Sequence, residues 1–335
     1  MYELIETPVT AYPTIEQAIT DLKGKNRADY AAKNLKVSED GIVKFDFAGS
    51  KGSKSLKFTK SGMIRMLREL SIPKGFAFKV IDNELLTENI NELLQLVTNA
   101  QVITEGIEGG EFVTGFRKEF ISPFRDYEIL ETIQNEFPKN TEVRLLTRNE
   151  NGMRLHYFDK DFKLPDMEYN GDTINFGGNI EYSEYGYKPF KAELALLIMW
   201  CTNGAVMSDK KYSYQYKHGG DRFKAISGVQ QALLNISKKD ISEFTQVFDE
   251  MKRKSMSEEF FKSAVNTTKK HYSDFDMTME QRPTVSFWDM FSEITRIAHE
   301  QVVDFDERRA LEVFAGKMVM SVKNPMHTDK LRKAK

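Results

Sequence analysis

The residues whose types and spacing most invite chemistry lie in KKYSYQYKHGGDRFK, residues 210–224. Side chains of a β-strand alternate between its faces, so Tyr212, Tyr214 and Tyr216 would share one face while Lys211 and Lys217 take the other face or the edge. A tyrosine ring stacks on a nucleobase without reading its identity. Lys210, Lys211, Lys217, Arg222 and Lys224 outnumber Asp209 and Asp221 and suit a phosphate backbone. The pair Gly219-Gly220, next to His218, lets backbone amides approach an anion closely. The same pattern also describes an edge strand kept from aggregating by its lysines. Both readings stay open on this segment alone.

No enzyme signature competes with it. The chain has no GxxxxGK[ST] loop, no GxGxxG, no HExxH and no GxSxG. Its single cysteine, Cys201, has no histidine partner in sequence, and five scattered histidines make no zinc pattern. Asp274 with Asp276, and Asp304 with Asp306, are close enough to recruit magnesium, but in a helical region such residues are more often caps and first-turn carboxylates. The expectation is a non-catalytic protein with no cofactor and no metal.

These residues need a scaffold, and 335 residues at 40% hydrophobic and 29% charged content can build a sizeable core. The longest apolar stretch, in KAELALLIMWC, is interrupted by Glu193 and is far shorter than the ~20 residues a membrane span needs. The opening MYELIETPVT lacks a basic start followed by an apolar core, so no membrane partner and a cytoplasmic location are expected. The net charge of −2 hides a segregation. Residues 48–68 hold Lys51, Lys54, Lys57, Lys60, Arg65 and Arg68 with no acid, whereas residues 80–116 hold Asp82, Glu84, Glu88, Glu92, Glu105, Glu108 and Glu111 with no base. Opposite surfaces on one subunit could match head to tail, which predicts a homo-oligomer larger than a dimer.

Periodicity predicts an α+β fold: a central, mainly antiparallel sheet with flanking helices, and a helical C-terminal third. IVKFDF and SLKF alternate and form a hairpin around the Gly- and Ser-rich AGSKGSK; GMIRMLREL and NELLTENINELLQLV have helical spacing. EFVTGFRKEF is a strand, DYEILETIQNEF a helix, and EVRLLTR-NENG-MRLHYF a hairpin turning at Asn151-Gly152. These strands are expected in one sheet. Four helical segments follow, from SKKDISEF to GKMV. The expected divisions are 1–110, an α+β region with basic hairpin and acidic helix; 111–228, the central sheet; 229–320, helical; and 321–335, a basic tail.

FVTGFRKEFISPFRDYEIL, NIEYSEYGY, LLIMWCTNGAV, YKHGG and SFWDMFSEITRIAHE resemble, in order and spacing, the phage and plasmid family called domain of unknown function 932, over roughly residues 60–320. The elements that carry the resemblance are Ser183-Glu184-Tyr185-Gly186, Cys201-Thr202-Asn203-Gly204 and His218-Gly219. Ile198-Met199-Trp200 stand where that family often has an arginine, so no role of that arginine transfers. The resemblance implies a mobile-element origin. Together these features point to a single-stranded DNA-binding protein acting in recombination, as an annealing or mediator protein, or in replication. Its expected contacts are Lys51, Lys54, Lys57, Lys60 and the residues named above within 210–224. Two other classes stay open: an interaction protein that counters a host defence through the acidic 80–116 surface, and a metal-dependent nuclease using the aspartate pairs.

Overall fold

The computed structural model describes residues 4–25, 27–32, 35–46, 53–79, 82–97, 99–107, 110–118, 125–136, 141–149, 151–169, 172–185, 188–198, 204–207, 213–216, 238–302 and 304–323. The architecture is α+β, with two sheets and a helical C-terminal region.

The first sheet contains β2 (Arg27–Ala31), β3 (Leu35–Val37), β4 (Ile42–Asp46), β5 (Ser53–Phe58), β6 (Ala100–Ile107) and β7 (Gly110–Lys118), in the order β2-β6-β7-β5-β4-β3. The predicted β4–β5 hairpin forms, with Val43 opposite Leu56. Among the described strands of this sheet, β5 and β7 pair in parallel and the other pairs are antiparallel. Helices α2 (Lys60–Glu69), α3 (Lys74–Lys79) and α4 (Asn83–Leu96) complete its core, where Met63, Met66, Leu67, Leu86, Ile90 and Leu94 pack on Val102, Val113 and Phe116. Thr59 and Asp82 cap α2 and α4 through side-chain oxygens. Gly62 lets α2 sit directly on β7, since a Cβ there would lie 2.2 Å from the Val113 carbonyl oxygen.

The second sheet contains β1 (Thr10–Ala11), β8 (Thr141–Asn149), β9 (Gly152–Tyr169), β10 (Asp172–Tyr182), β11 (Phe190–Ile198) and β12 (Gly204–Met207) in that spatial order, with β13 (Ser213–Tyr216) also on β11. Asn149 and Gly152 close the predicted β8–β9 turn, and Gly152 has φ of +148°. One face carries Leu146, Met153, Leu155, Tyr157, Ile180, Tyr182, Phe190 and Ala192 against α1 (Ile15–Gly24) and α5 (Asp126–Glu136). The opposite face meets the C-terminal helices α6 (Lys238–Arg253), α8 (Phe287–Glu300) and α9 (Phe305–Lys323), with α7 (Glu258–His271) packed on α9, and the core of these helices centres on Phe248, Trp288 and Phe291. A capping box, Ser286 with Asp289, starts α8.

Two expectations are corrected. EFVTGFRKEF does not join the 142–158 hairpin: β7 pairs with β6 through a tight connection and with β5, because a neighbour two residues away closes at less entropic cost than one beyond α5. The division at residue 110 therefore falls inside the first sheet, while β1 and α1, from the N-terminal region, belong to the second.

Candidate anion-binding site

The site is built at the seam of the two sheets. Arg148 lies two residues beyond Leu146 on the same face of β8, where the apolar face ends. Its Nη1 and Nη2 donate to the two oxygens of Glu105 on β6, at 2.8 and 3.0 Å. Nη2 also donates to Glu184 Oε1 at 3.0 Å, and Nε to Asp126 Oδ2 at 2.6 Å. Asp126 opens α5, where a carboxylate is favoured by the helix dipole. Its backbone N–H donates to Glu184 Oε2 at 2.9 Å. Tyr185 donates its hydroxyl to Glu105 Oε2 at 2.7 Å, and its ring centroid lies 5.0 Å from the Arg27 guanidinium and 4.9 Å from that of Arg65. Arg65 is anchored on the Thr114 carbonyl and on Asn151 Oδ1. Gly115 makes room for the tyrosine, because a Cβ would lie 2.7 Å from Tyr185 Cδ1.

A cavity of about 200 Å³ opens beside this cluster, lined by Leu22, Lys23, Lys25, Arg27, Glu105, Arg125, Asp126, Tyr127, Arg148 and Glu184. Its floor, Glu105, Asp126, Arg148 and Glu184, is buried; its rim is not, with Lys23 50%, Lys25 23% and Arg125 26% exposed. Five cations line it against three carboxylates. Glu131, Asp21 and Asp29 hold Lys23, Lys25 and Arg125 from outside the lining. Capacity is still left over. Arg27, nine-tenths buried, pairs with Glu184 through Nη1, but its Nε and Nη2 make no hydrogen bond, nor does Arg125 Nη1. Nearby, Arg117 Nη1 is also without a hydrogen bond, although its Nη2 donates to Asp29 and Gln101.

The electrostatics separate the groups. Burial alone would raise the Glu105 carboxyl, but the charge and hydrogen bonds of Arg148, with Tyr185 and Lys25, outweigh it and hold its pKa at about 2. Asp126 goes the other way: burial raises it and Arg148 does not fully compensate. Burial lowers the Arg27 and Arg117 guanidiniums, and repulsion from Arg125 adds to both. A cluster of desolvated, mutually repelling guanidiniums gains from an anion.

The expected nucleic-acid contacts are distributed otherwise. The register sets Tyr214 opposite Ala192 and Tyr216 opposite Phe190. Gln215, between them, is exposed. Lys54 and Lys60 are ion-paired, to Glu111 and Glu6, and Lys57 is half-buried on β5. The acid-free run 48–68 is thus partly neutralised by acids from elsewhere, and Arg65 within it is buried. Lys51, Lys210, Lys211, Tyr212, Lys217, His218, Arg222 and Lys224 lie outside the described residues, as do Cys201 and the tail 324–335. Asp304 accepts hydrogen bonds from the Asp306 and Glu307 backbone N–H groups, which makes it a helix cap. Among the described residues no three acidic, histidine or cysteine side chains are placed to hold a metal.

Arg27, Glu105 and Arg148 carry no sequence signal that marks them as site residues. Arg117, Arg125, Asp126, Glu184 and Tyr185, however, belong to the segments FVTGFRKEFISPFRDYEIL and NIEYSEYGY that carry the family resemblance, and the fold brings them together here.

A second buried charge cluster lies on the opposite face of the central sheet, under α9. Arg309 pairs with Glu181 and Glu193, Arg154 pairs with Glu312, and Arg154 Nε donates to Asn179 Oδ1 at 3.0 Å. Lys191 pairs with Glu193 at 2.6 Å. His156, 3.8 Å from Glu312, has a pKa well below the ordinary histidine value through burial and the charges of Arg154 and Arg309.

No protein-family model matches the chain, and neither the curated proteins nor the solved structures give a match. The resemblance to the phage and plasmid family therefore rests on its motifs alone.

Proposed function

We propose that this chain is a non-catalytic binding protein for single-stranded nucleic acid, and that it holds phosphate in the cavity at the seam of the two sheets. The observation that carries the reading is the cavity wall of Lys25, Arg27, Arg125 and Arg148, in which Arg27 Nη2 and Arg125 Nη1 are buried without a hydrogen-bond partner. Tyr127, half-buried among the lining residues, offers an aromatic ring next to those cations. A phosphate beside a ring that tolerates any base is the chemistry of sequence-independent single-strand binding. A duplex keeps its bases stacked inside and presents only backbone to such a recess. The mobile-element setting implied by the resemblance agrees with a role in recombination or replication.

The test is fluorescence anisotropy with single- and double-stranded oligonucleotides at two salt concentrations, on the native chain and on Lys25→Gln/Arg125→Gln. Single strands are expected to bind more tightly than duplex. The double variant should bind more weakly, with a shallower salt dependence, by about 0.7 in log–log slope for each phosphate that is no longer neutralised. Unchanged affinity and slope in the double variant would remove the cavity from the reading.

A further inference from the structure

We infer that the cavity recognises a terminal phosphate, so that the protein binds nucleic-acid ends bearing a phosphomonoester. This rests on the single-strand reading and narrows its ligand.

The shape of the cavity favours a terminus. One side is buried, formed by Glu105, Asp126, Arg148 and Glu184, and one is accessible, formed by Lys23, Lys25, Arg125 and Tyr127. A phosphodiester within a strand continues through both ester oxygens and needs a groove open at two ends. A recess of about 200 Å³ with a buried floor admits a chain terminus. Charge favours it too. The lining has more cations than carboxylates, and both attraction and repulsion scale with the ligand's charge, so a monoester with close to two negative charges at neutral pH gains more than a diester with one. Hydrogen bonding adds a further distinction. In its singly charged form, an alternative to the dianion since the second pKa is near 6, a monoester has one P–OH that can donate to a carboxylate. Asp126 Oδ1 is buried with no hydrogen-bond partner, while its Oδ2 is committed to Arg148. A diester has no proton to give it. Finally, the Lys23 ammonium stands 5.6 Å from the Tyr127 ring centroid at the rim, which sets a cation and an aromatic face where the terminal nucleoside would emerge.

The experiment compares one single-stranded sequence in three forms, unphosphorylated, 5′-phosphorylated and 3′-phosphorylated, by anisotropy with the label at the opposite end. One or both phosphorylated forms should bind about tenfold more tightly than the unphosphorylated form, as a few charge-assisted hydrogen bonds would give. Which arm gains identifies the end recognised. A nucleoside monophosphate should displace the phosphorylated strand and the parent nucleoside should not. Arg125→Gln, at a partly exposed position, should abolish the preference while keeping the native melting temperature. If all three forms bind equally well, the terminal inference is overturned and the single-strand reading stands. If none binds, both fall.

Discussion

The protein buries two clusters of charge, one on each face of the central sheet, and they differ in balance and access. Under α9, Arg154, Arg309 and Lys191 meet Glu181, Glu193 and Glu312, three against three, and the network ties a helix to a sheet. At the seam of the two sheets, five cations and three carboxylates line a cavity whose rim reaches solvent, and Asp21, Asp29 and Glu131 hold three of those cations from outside it. Burying an ion pair seldom stabilises more than apolar packing would, so neither cluster is explained by stability alone. Balance between paired charges, with Lys191 partly exposed at the margin, describes a fastening. A cavity with access, its lining richer in cations than in carboxylates, describes a place for a ligand. Both clusters hold buried polar atoms without a hydrogen-bond partner, Arg309 Nη1 in one and Arg27 Nη2 in the other, so what marks the seam as a candidate site is the cavity that its groups line.

The largest expected effect breaks the seam. Arg148→Met would leave buried Asp126 without its cation and Glu105 and Glu184 with Lys25 and Arg27 alone, at a cost of about 3–5 kcal/mol in urea unfolding. Arg309→Met should cost less, about 1–3 kcal/mol, because Lys191 still holds Glu193 and Arg154 still neighbours Glu181. Equal losses would deny that one arginine is the pivot of the seam and that the other shares its load. Gly115→Ala comes next. It would press a methyl group on the Tyr185 ring and cost about 1–3 kcal/mol. Gly24→Ala, with nothing within 4 Å, should not destabilise. Similar melting temperatures for the two would show that Tyr185 relocates freely.

How much of this was legible in the sequence follows from what periodicity can see. Helices α2, α4, α5 and α6–α9 and the hairpins β4–β5 and β8–β9 have caps, turn residues and apolar spacing that agree with one another, and they form where the pattern placed them. The site was not legible, because alternation assigns a charged residue in a strand to the solvent face. Arg148 and Arg154 occupy opposite faces of the β8–β9 hairpin, as Leu146 and Leu155 share one face and Thr147 pairs with Arg154 on the other, yet both arginines are buried between layers that only the tertiary fold supplies. Glu105, Asp126, Arg148 and Glu184 are joined across 22 to 58 positions of sequence. One local clue existed: Glu193 inside KAELALLIMW, a single charge in an apolar run, is the mark of a buried ion pair. The division into two sheets was hidden for a similar reason, since nothing local distinguishes β7 from β8.

Acid titration sharpens the comparison by taking the clusters apart in order. His156, in the balanced cluster, has a folded pKa far below its unfolded value near 6.5. The unfolded state therefore takes up the proton first, and stability should fall as pH drops below about 6.5, by at most about 1.4 kcal/mol per pH unit for one proton. Glu105, at the seam, has a folded pKa of about 2 against 4.5. Its contribution is present above 4.5 and is lost as pH falls toward 2, partly offset by Asp126, whose raised pKa works in the opposite direction. Urea midpoints measured from pH 8 to pH 3 should show the histidine limb first, and His156→Gln should flatten it while leaving the lower limb. A slope in His156→Gln equal to the native one between pH 6.5 and 5 would place the proton elsewhere.

The smallest change in stability gives the cleanest separation of roles. Each cluster has a lysine at its margin: Lys23, paired with Glu131, at the cavity rim, and Lys188, paired with Asp306, beside α9. Both pairs are partly exposed, so Lys23→Gln and Lys188→Gln should each shift stability by less than about 1 kcal/mol. Their effects on binding should diverge. Lys23 stands over Tyr127 among the residues lining the cavity, so its removal should weaken single-strand binding and lower its salt dependence. Lys188 neutralises a helix-terminal carboxylate on the far side of the sheet, and its removal should leave binding as it was. If the two variants weaken binding alike, electrostatic attraction is spread over the whole surface, and the distinction between a balanced fastening and an accessible site loses its functional meaning.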